Sequence, residues 1–398
     1  MRLIFQDQTF SFELLRTLSY APYGGADIGE CLSTAYRIKE GDFESWYTEW
    51  YRTAERIHAL AVDSLERGKR VSARECYLRA HNYYRTAEFF LHGNPKDPRI
   101  LETWGKSRST FRQAIKLMDT SVEEVAIPYE GTYLPGYYYR VDDTPRPTLL
   151  IHGGFDSTGE ELYLEVAAAA LQRGYNCLTF EGPGQGAVIR EQHIPFRYDW
   201  EKVVTPVVDY LLTRPDVDPD RIALMGISLG GYLAPRAAAY EHRLAACIAN
   251  DGLFSNQFGE IARKLHRGND EDLNNPAYVE KFLEVLTSQY TGVRWAIENG
   301  MFTYQAESVH ELIRKTEPVT LEGVAHKIKC PTLVCEAEAD HFFAGQPKML
   351  YDALTCPKTF MLFTAEDGAE EHCHFGALLY LINVSSSGWM RRWISSNT

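Results

Sequence analysis

A serine with a glycine two positions away on either side, Gly226-Ile227-Ser228-Leu229-Gly230, constrains the fold of this chain more than any other feature. The apolar run IALMGI (222–227) precedes it and an alanine-rich stretch follows, so the segment reads as strand, sharp turn, helix. A serine on such a turn has a strained backbone and tolerates only minimal side chains around it, which is why glycines flank it. Gly231 lets the following helix pack closely against its neighbour. The turn requires a strand ending at the carboxyl edge of a mostly parallel sheet, and the rest of the chain must supply that sheet.

From about residue 122 the pattern alternates. Apolar, strand-like runs fall at 134–140, 148–152, 176–181, 222–227, 245–250, 332–336 and 359–363. Helical stretches at 159–173, 199–213, 229–240, 346–355 and 374–393 separate most of them. Strand and helix in repetition imply an α/β fold, a mostly parallel sheet with helices on both faces. Between Asp251 and Ile328 the alternation breaks into helices, for example 276–289 and 292–300, so residues 254–327 read as a lid inserted over the carboxyl ends of the strands. Before residue 122 the signals are helical: Asp42 to Glu66, Val71 to His92, and Pro98 to Met118, punctuated by Gly68 and Gly93-Asn94-Pro95. The expected organisation is a helical domain over 1–121 and a catalytic domain over 122–398.

A net charge of −13 argues against nucleic acid or an anionic membrane as a partner. No run of about 18 apolar residues is present to span a bilayer. The start, MRLIFQDQTFSFELL, is interrupted by Asp7 and Glu13 and lacks a leader's cleavage site, so a cytoplasmic protein is expected. Eight cysteines are scattered without a Cys-x-x-Cys clip, which fits reduced, buried thiols and no metal site.

A serine hydroxyl attacks only when a base takes its proton. In a sheet of this kind the acid and the histidine follow the serine in chain order, each on a loop after a late strand. Asp340, after TLVCEAEA, fits the acid; Glu336 and Glu338 are weaker choices, and Asp251, at the end of the strand 245–250, is the rival. Of the two histidines in Glu371-His372-Cys373-His374, His372 lies nearer the loop and is the candidate base; His374 would open the last helix. An oxyanion hole needs two N–H donors, and removing one typically costs about 3 kcal/mol of barrier. Leu229 supplies one, and Gly154 or Phe155 in His152-Gly153-Gly154-Phe155-Asp156 the other. The Gly-rich turn 181–186 lacks the Lys-Ser/Thr ending of a phosphate loop and reads as structural, although Glu181, like Asp251, is a candidate to line the site. This chemistry requires no cofactor.

These motifs recur together. HGGFDS, FEGPGQG, GISLGG, EAEAD and GAEEHC, with the N-terminal GDFESWYTEWYRTAERI and VSARECYLRAHNYYRTAEFFLH, resemble one branch of the α/β-hydrolases over nearly the whole chain. That branch holds the dihydroxypseudooxynicotine hydrolase of bacterial nicotine breakdown and the fungal hydrolases that shorten polyketides. The resemblance implies an α/β-hydrolase fold, a helix-roofed site, and cleavage of a carbon–carbon bond next to a carbonyl, with Ser228, Asp340 and His372 as nucleophile, acid and base. A carboxylesterase, thioesterase or lactonase would use the same three residues on an easier bond. A binding protein built on the helices at 42–92 is disfavoured, because no 34-residue unit repeats. The expected partner is a small-molecule ketone or ester, and a homodimer is left open. The roof is expected to come from both helical segments, with Trp46, Trp50, Tyr83 and Tyr84 on one side and Tyr290, Trp295, Phe302 and Tyr304 on the other.

Overall fold

The computed structural model describes residues 1–258 and 275–385. Five helices come first: α1 (Gln8–Ser19), α2 (Ile28–Ala35), α3 (Phe43–Glu66), α4 (Arg70–Glu88) and α5 (Pro98–Ile115). Aspartates at 7, 27, 42 and 97 cap four of them, each carboxylate taking first-turn N–H groups that would otherwise lack a partner. The helical patterns at 42–66, 71–92 and 98–118 correspond to α3, α4 and α5. The sequence reading had no place for α1 and α2. Ten of the twelve residues of α1 are buried, Glu13 and Arg16 among them.

Eight strands form one sheet in the order β1-β2-β4-β3-β5-β6-β7-β8. They are β1 (Ser121–Tyr129), β2 (Thr132–Arg140), β3 (Arg146–His152), β4 (Asn176–Phe180), β5 (Val217–Ile227), β6 (Ala246–Asn250), β7 (Thr332–Ala337) and β8 (Lys358–Phe363). β3 to β8 run parallel; β1 and β2 form an antiparallel hairpin joined to β4. All seven expected strands are present. The eighth, β1, was missed because it is an edge strand carrying Glu123 and Glu124, with a largely exposed pattern. Between β3 and β6 the chain forms α6 (Ala168–Leu171), entered through a π-turn over Tyr163–Ala167, then α7 (Gly186–Arg190), α8 (Glu201–Leu212) and α9 (Gly230–Ala238). After β6 come helices Pro276–Gln289, Thr291–Thr303 and Val309–Thr316; the first part of the expected lid, 259–274, lies outside the described residues. The expected last helix, 374–393, is seen as Leu378–Val384, and its end from 386 lies outside them too. Among the described residues no helix is long and apolar enough to cross a membrane.

The N-terminal helices form an aromatic core around α1. Phe10 packs edge-on to Trp46 at 5.0 Å between ring centroids and stacks on Phe90 at 5.2 Å. Trp46 donates its indole N–H to the Thr86 carbonyl at 2.7 Å. Trp46, Trp50, Tyr83 and Tyr84 are all fully buried within this core. Each such side chain contributes on the order of 2–3 kcal/mol by leaving water.

The start of α9 lies against the end of β6. A Cβ added to Gly231 would sit 1.8 Å from the Asp251 carbonyl oxygen, so two stretches of backbone would have to part. Gly231→Ala should lower stability by about 3 kcal/mol, read as a fall in the urea midpoint. Gly105, in α5, has open space within 4 Å of the position a Cβ would take; Gly105→Ala should raise stability by about 0.5–1 kcal/mol.

Candidate active site

β5 ends at Ile227, and the chain turns through Ser228 into α9. Ser228 has φ +62, a left-handed conformation that costs a non-glycine residue about 1–3 kcal/mol. Its N–H donates to the Asn250 carbonyl at 2.6 Å, and its carbonyl accepts from the Gly231 N–H at 2.7 Å, so the turn is held from both sides. The strain lifts the hydroxyl off the sheet edge.

The loop after β8 brings His372 to that hydroxyl. Its Nε2 lies 2.9 Å from Ser228 Oγ, and its Nδ1 lies 2.9 Å from Asp340 Oδ2. The other Asp340 oxygen accepts the N–H groups of Phe342 (2.7 Å) and Phe343 (3.2 Å), which fixes the carboxylate. Asp251 reaches the same imidazole from behind: Oδ2 is 3.3 Å from His372 Nδ1 and accepts the Cys373 N–H at 2.7 Å, while Oδ1 is 3.1 Å from His374 Nε2. Both acids weighed from the sequence therefore meet at His372, Asp340 the nearer, and Asp251 braces the loop that carries it. His374 is fully buried behind the site, and Glu338 is spent on the Ala365 N–H. Burial is the largest single effect and works against a charged His372, but the interactions with Asp340, Cys373 and Asp251 together exceed it, and the imidazole is held well above the usual histidine range. Burial pushes the neighbouring Cys373 thiol up to about 11, so it stays protonated although its sulfur is 3.3 Å from Nε2.

The loop after β3 faces the serine. A Cβ on Gly154 would stand 2.6 Å from the Leu229 nitrogen and 3.0 Å from Ser228 Cβ, so glycine alone lets the two loops meet. Gly154, Phe155 and Leu229 all border the cavity above Ser228. Among the described residues no acceptor takes the N–H of Gly154, Phe155 or Leu229. Two donors aimed at one point are what a developing oxyanion needs.

That cavity has a volume of about 940 Å³ and an apolar wall. Tyr290 and Trp295 line it, as the sequence suggested, together with Phe342 and Phe343 after Asp340. The N-terminal contribution differs from expectation. Trp46, Trp50, Tyr83 and Tyr84 are absent from the wall, which is built instead by Phe12, Glu13 and Arg16 of α1. Phe302 stacks on His92 and Tyr304 packs on Phe196, away from the cavity. Glu181 also lies elsewhere: its carboxylate accepts the N–H groups of Gly159 (2.8 Å) and Ala187 (2.7 Å), bracing two loops. The aromatic residues misled because tight helix–helix packing consumes them first; Glu13 and Arg16 of α1 are placed by partners far along the chain.

Comparison with known proteins agrees with this architecture. A family model described as "Alpha/beta hydrolase family" matches residues 148–375. The "20-hydroxy-prefusarin hydrolase FUS2" of Gibberella moniliformis is 39% identical over 358 residues, covering 86% of this chain and 85% of that protein. The "Alpha/beta hydrolase psoB" of Aspergillus fumigatus is 38% identical over 377 residues, covering 88% of this chain and 84% of that protein. The crystal structure of the 2,6-dihydroxy-pseudo-oxynicotine hydrolase superposes with a TM-score of 0.74 at 21% identity, covering 96% of this chain and 97% of that one.

The position of His372 between two carboxylates has a measurable consequence. Its ring should titrate well above pH 6.5 when followed by NMR. Asp340→Asn should lower that midpoint by about 1–3 pH units, and Asp251→Asn by less. The reverse order would make Asp251 the principal partner.

Proposed function

The chain belongs to the alpha/beta hydrolase family, and from that premise we propose that it is a serine hydrolase that cleaves a carbon–carbon bond next to a carbonyl. Ser228 is the nucleophile, His372 its base, and Asp340 the acid that orients the imidazole. The Leu229 N–H and a donor from Gly154 or Phe155 stabilise the oxyanion. The observation that carries this reading is the hydrogen-bonded chain Asp340–His372–Ser228 opening into an apolar cavity of about 940 Å³. The relative named a 20-hydroxy-prefusarin hydrolase supports a small-molecule substrate, and the ketone chemistry implied by the resemblance of the shared motifs supports the choice of bond.

The mechanism follows from the geometry. His372 in its neutral form takes the Ser228 proton at Nε2 as Oγ adds to the ketone carbon. The tetrahedral oxyanion rests against the two backbone donors. Its collapse breaks the bond to carbon, and the electron pair departs as an enolate, which a β-diketone, polyketide chain or hydroxylated aryl ketone can stabilise. Water, deprotonated by His372, then releases the acyl group as a carboxylic acid. Excluding bulk water strengthens the oxyanion contacts and protects the enolate until it is protonated. In this reading 1–121 and 254–327 are caps on the catalytic domain 122–398, and α1 is the part of the first cap that meets the substrate.

Ser228→Ala should lower kcat by about 10⁴-fold or more with the fold intact; activity at a tenth of wild type would reject the nucleophile. Asp340→Asn should damage turnover far more than Asp251→Asn. Wild-type enzyme should cleave at least one member of a panel of β-diketones and aryl ketones. Rapid p-nitrophenyl ester turnover with no ketone cleaved would make it a carboxylic ester hydrolase.

A further inference from the structure

Between α1, α4 and the segment after β3 lies a closed cluster of charge. Arg16 donates to Asp156 at 2.7 Å and to Glu161 at 2.9 Å. Arg85, on α4, meets Asp156, Glu161 at 3.1 Å and Glu13 at 3.3 Å. Tyr20 donates to Glu165 at 2.6 Å and to Glu161 at 3.1 Å. The cluster thus holds four carboxylates, Glu13, Asp156, Glu161 and Glu165, against two guanidiniums, and all of these residues are buried except Asp156, whose side chain is 11% exposed. Two negative charges would be left uncompensated away from water, so two of the four acids must keep their protons. Asp156 and Glu161, facing both arginines, are held below the usual carboxylate range despite burial. The protons fall to the other two: burial pushes Glu165 up to about 8 and Glu13 up to about 7.

The two protonated acids are not equivalent. Glu165 has its Oε1 engaged by the Tyr20 hydroxyl. Glu13 uses Oε2 for Arg85, with Arg16 at 3.7 Å, while Oε1 has no hydrogen-bond partner among the described residues. Glu13 borders the same cavity as Ser228 and His372. It lies on α1 directly after Phe12, whose ring approaches that of His372 at 6.0 Å, and one turn before Arg16, which holds the residue following Phe155. Glu13 thus belongs to the α1 wall of this cavity, on the helix that also brings Phe12 to His372 and Arg16 to Asp156. His341, also bordering the cavity, is pushed down to about 4 by burial and offers no proton.

We propose that Glu13 is the catalytic acid that protonates the departing carbon. The inference rests on the carbon–carbon cleavage reading, which needs such a donor and an ester hydrolase does not. The Glu13 O–H bond breaks and a C–H bond forms on the enolate carbon, leaving Glu13 as carboxylate. The imidazolium formed at His372 returns its proton to solvent, and Glu13 takes one from solvent, so ketone and water give acid and C–H product. An acid near neutrality suits this transfer better than an imidazolium clamped by two carboxylates, because transfer is most efficient when the donor titrates near the working pH.

The test compares the ketone cleaved best by wild type with p-nitrophenyl butyrate, whose phenolate leaves without a proton. In wild type the ketone-to-ester rate ratio should fall as pH rises past about 7, where Glu13 loses its proton; the histidine's own titration cancels in the ratio. Glu13→Gln should lower the ratio about 100-fold and abolish its pH dependence, and Glu13→Asp should restore part of both. A ratio flat from pH 6 to 9 in wild type, or equal losses on both substrates in Glu13→Gln, would overturn the assignment and leave Glu13 as a brace for α1. Wild type turning over the ester but no ketone would instead overturn the carbon–carbon reading itself, and this inference with it.

Discussion

Arg16 and Arg85 gripping Asp156 and Glu161 is the interaction on which the rest of the molecule depends. The two arginines come from different helices, α1 and α4, and both acids come from the segment that follows β3. A buried guanidinium cannot be left without its carboxylates; breaking such a pair typically costs about 3–5 kcal/mol. The clamp therefore fixes where α1 lies, and α1 is the wall of the cavity facing Ser228. It also fixes Asp156, the residue after Phe155, and so sets the loop from which an oxyanion donor would come. A second polar chain reinforces it: Asn299 donates to the Phe155 carbonyl at 3.0 Å and meets His92, which meets Glu88, which takes Arg190.

Around this clamp the site is set by opposed costs. The elbow at Ser228 stores backbone strain, which the hydrogen bonds to Asn250 and from Gly231 offset. His372 is buried, which disfavours its charged form, yet it stands between Asp340 and Asp251 and gains more from them than burial removes. In the clamp itself the balance goes the other way for Glu13 and Glu165, where burial wins because the two guanidiniums are already taken. Asp251, beside two imidazoles, is thus held well below the usual carboxylate range, whereas Glu13 and Glu165, left without a guanidinium of their own, are pushed above it.

How much of this was legible in the chain depends on the kind of signal. The elbow was legible because strand, glycine-flanked serine and helix are contiguous. Asp340 and His372 were legible because chain order restricts them to loops after β7 and β8. Glu181, by contrast, lies on an equally suggestive loop, yet its carboxylate turns to the N–H groups of Gly159 and Ala187. The aromatics of α3 and α4 looked like a roof and proved to be core, because a tryptophan or tyrosine is buried wherever helices meet. The place of α1 was illegible for another reason: Arg16 is buried by Asp156 and Glu161, far along the chain, and no local pattern reports such partners.

The sequence by itself determined seven strands of the sheet, the elbow and the three residues placed at its edge, because each is specified by local pattern and by order along the chain. It also held both candidate acids, without ranking their distances to one imidazole. Only the tertiary structure decided that Asp251 stands behind His372 as a second carboxylate, that α1 rather than α3 or α4 lines the cavity, and that Glu13 is buried among more acids than cations. Those outcomes depend on contacts across about 70 to 145 positions of chain, as between Arg85 and Glu13 or Arg16 and Glu161. Charge balance in a buried cluster belongs to the whole set of residues that meet there, and no local stretch of sequence carries it.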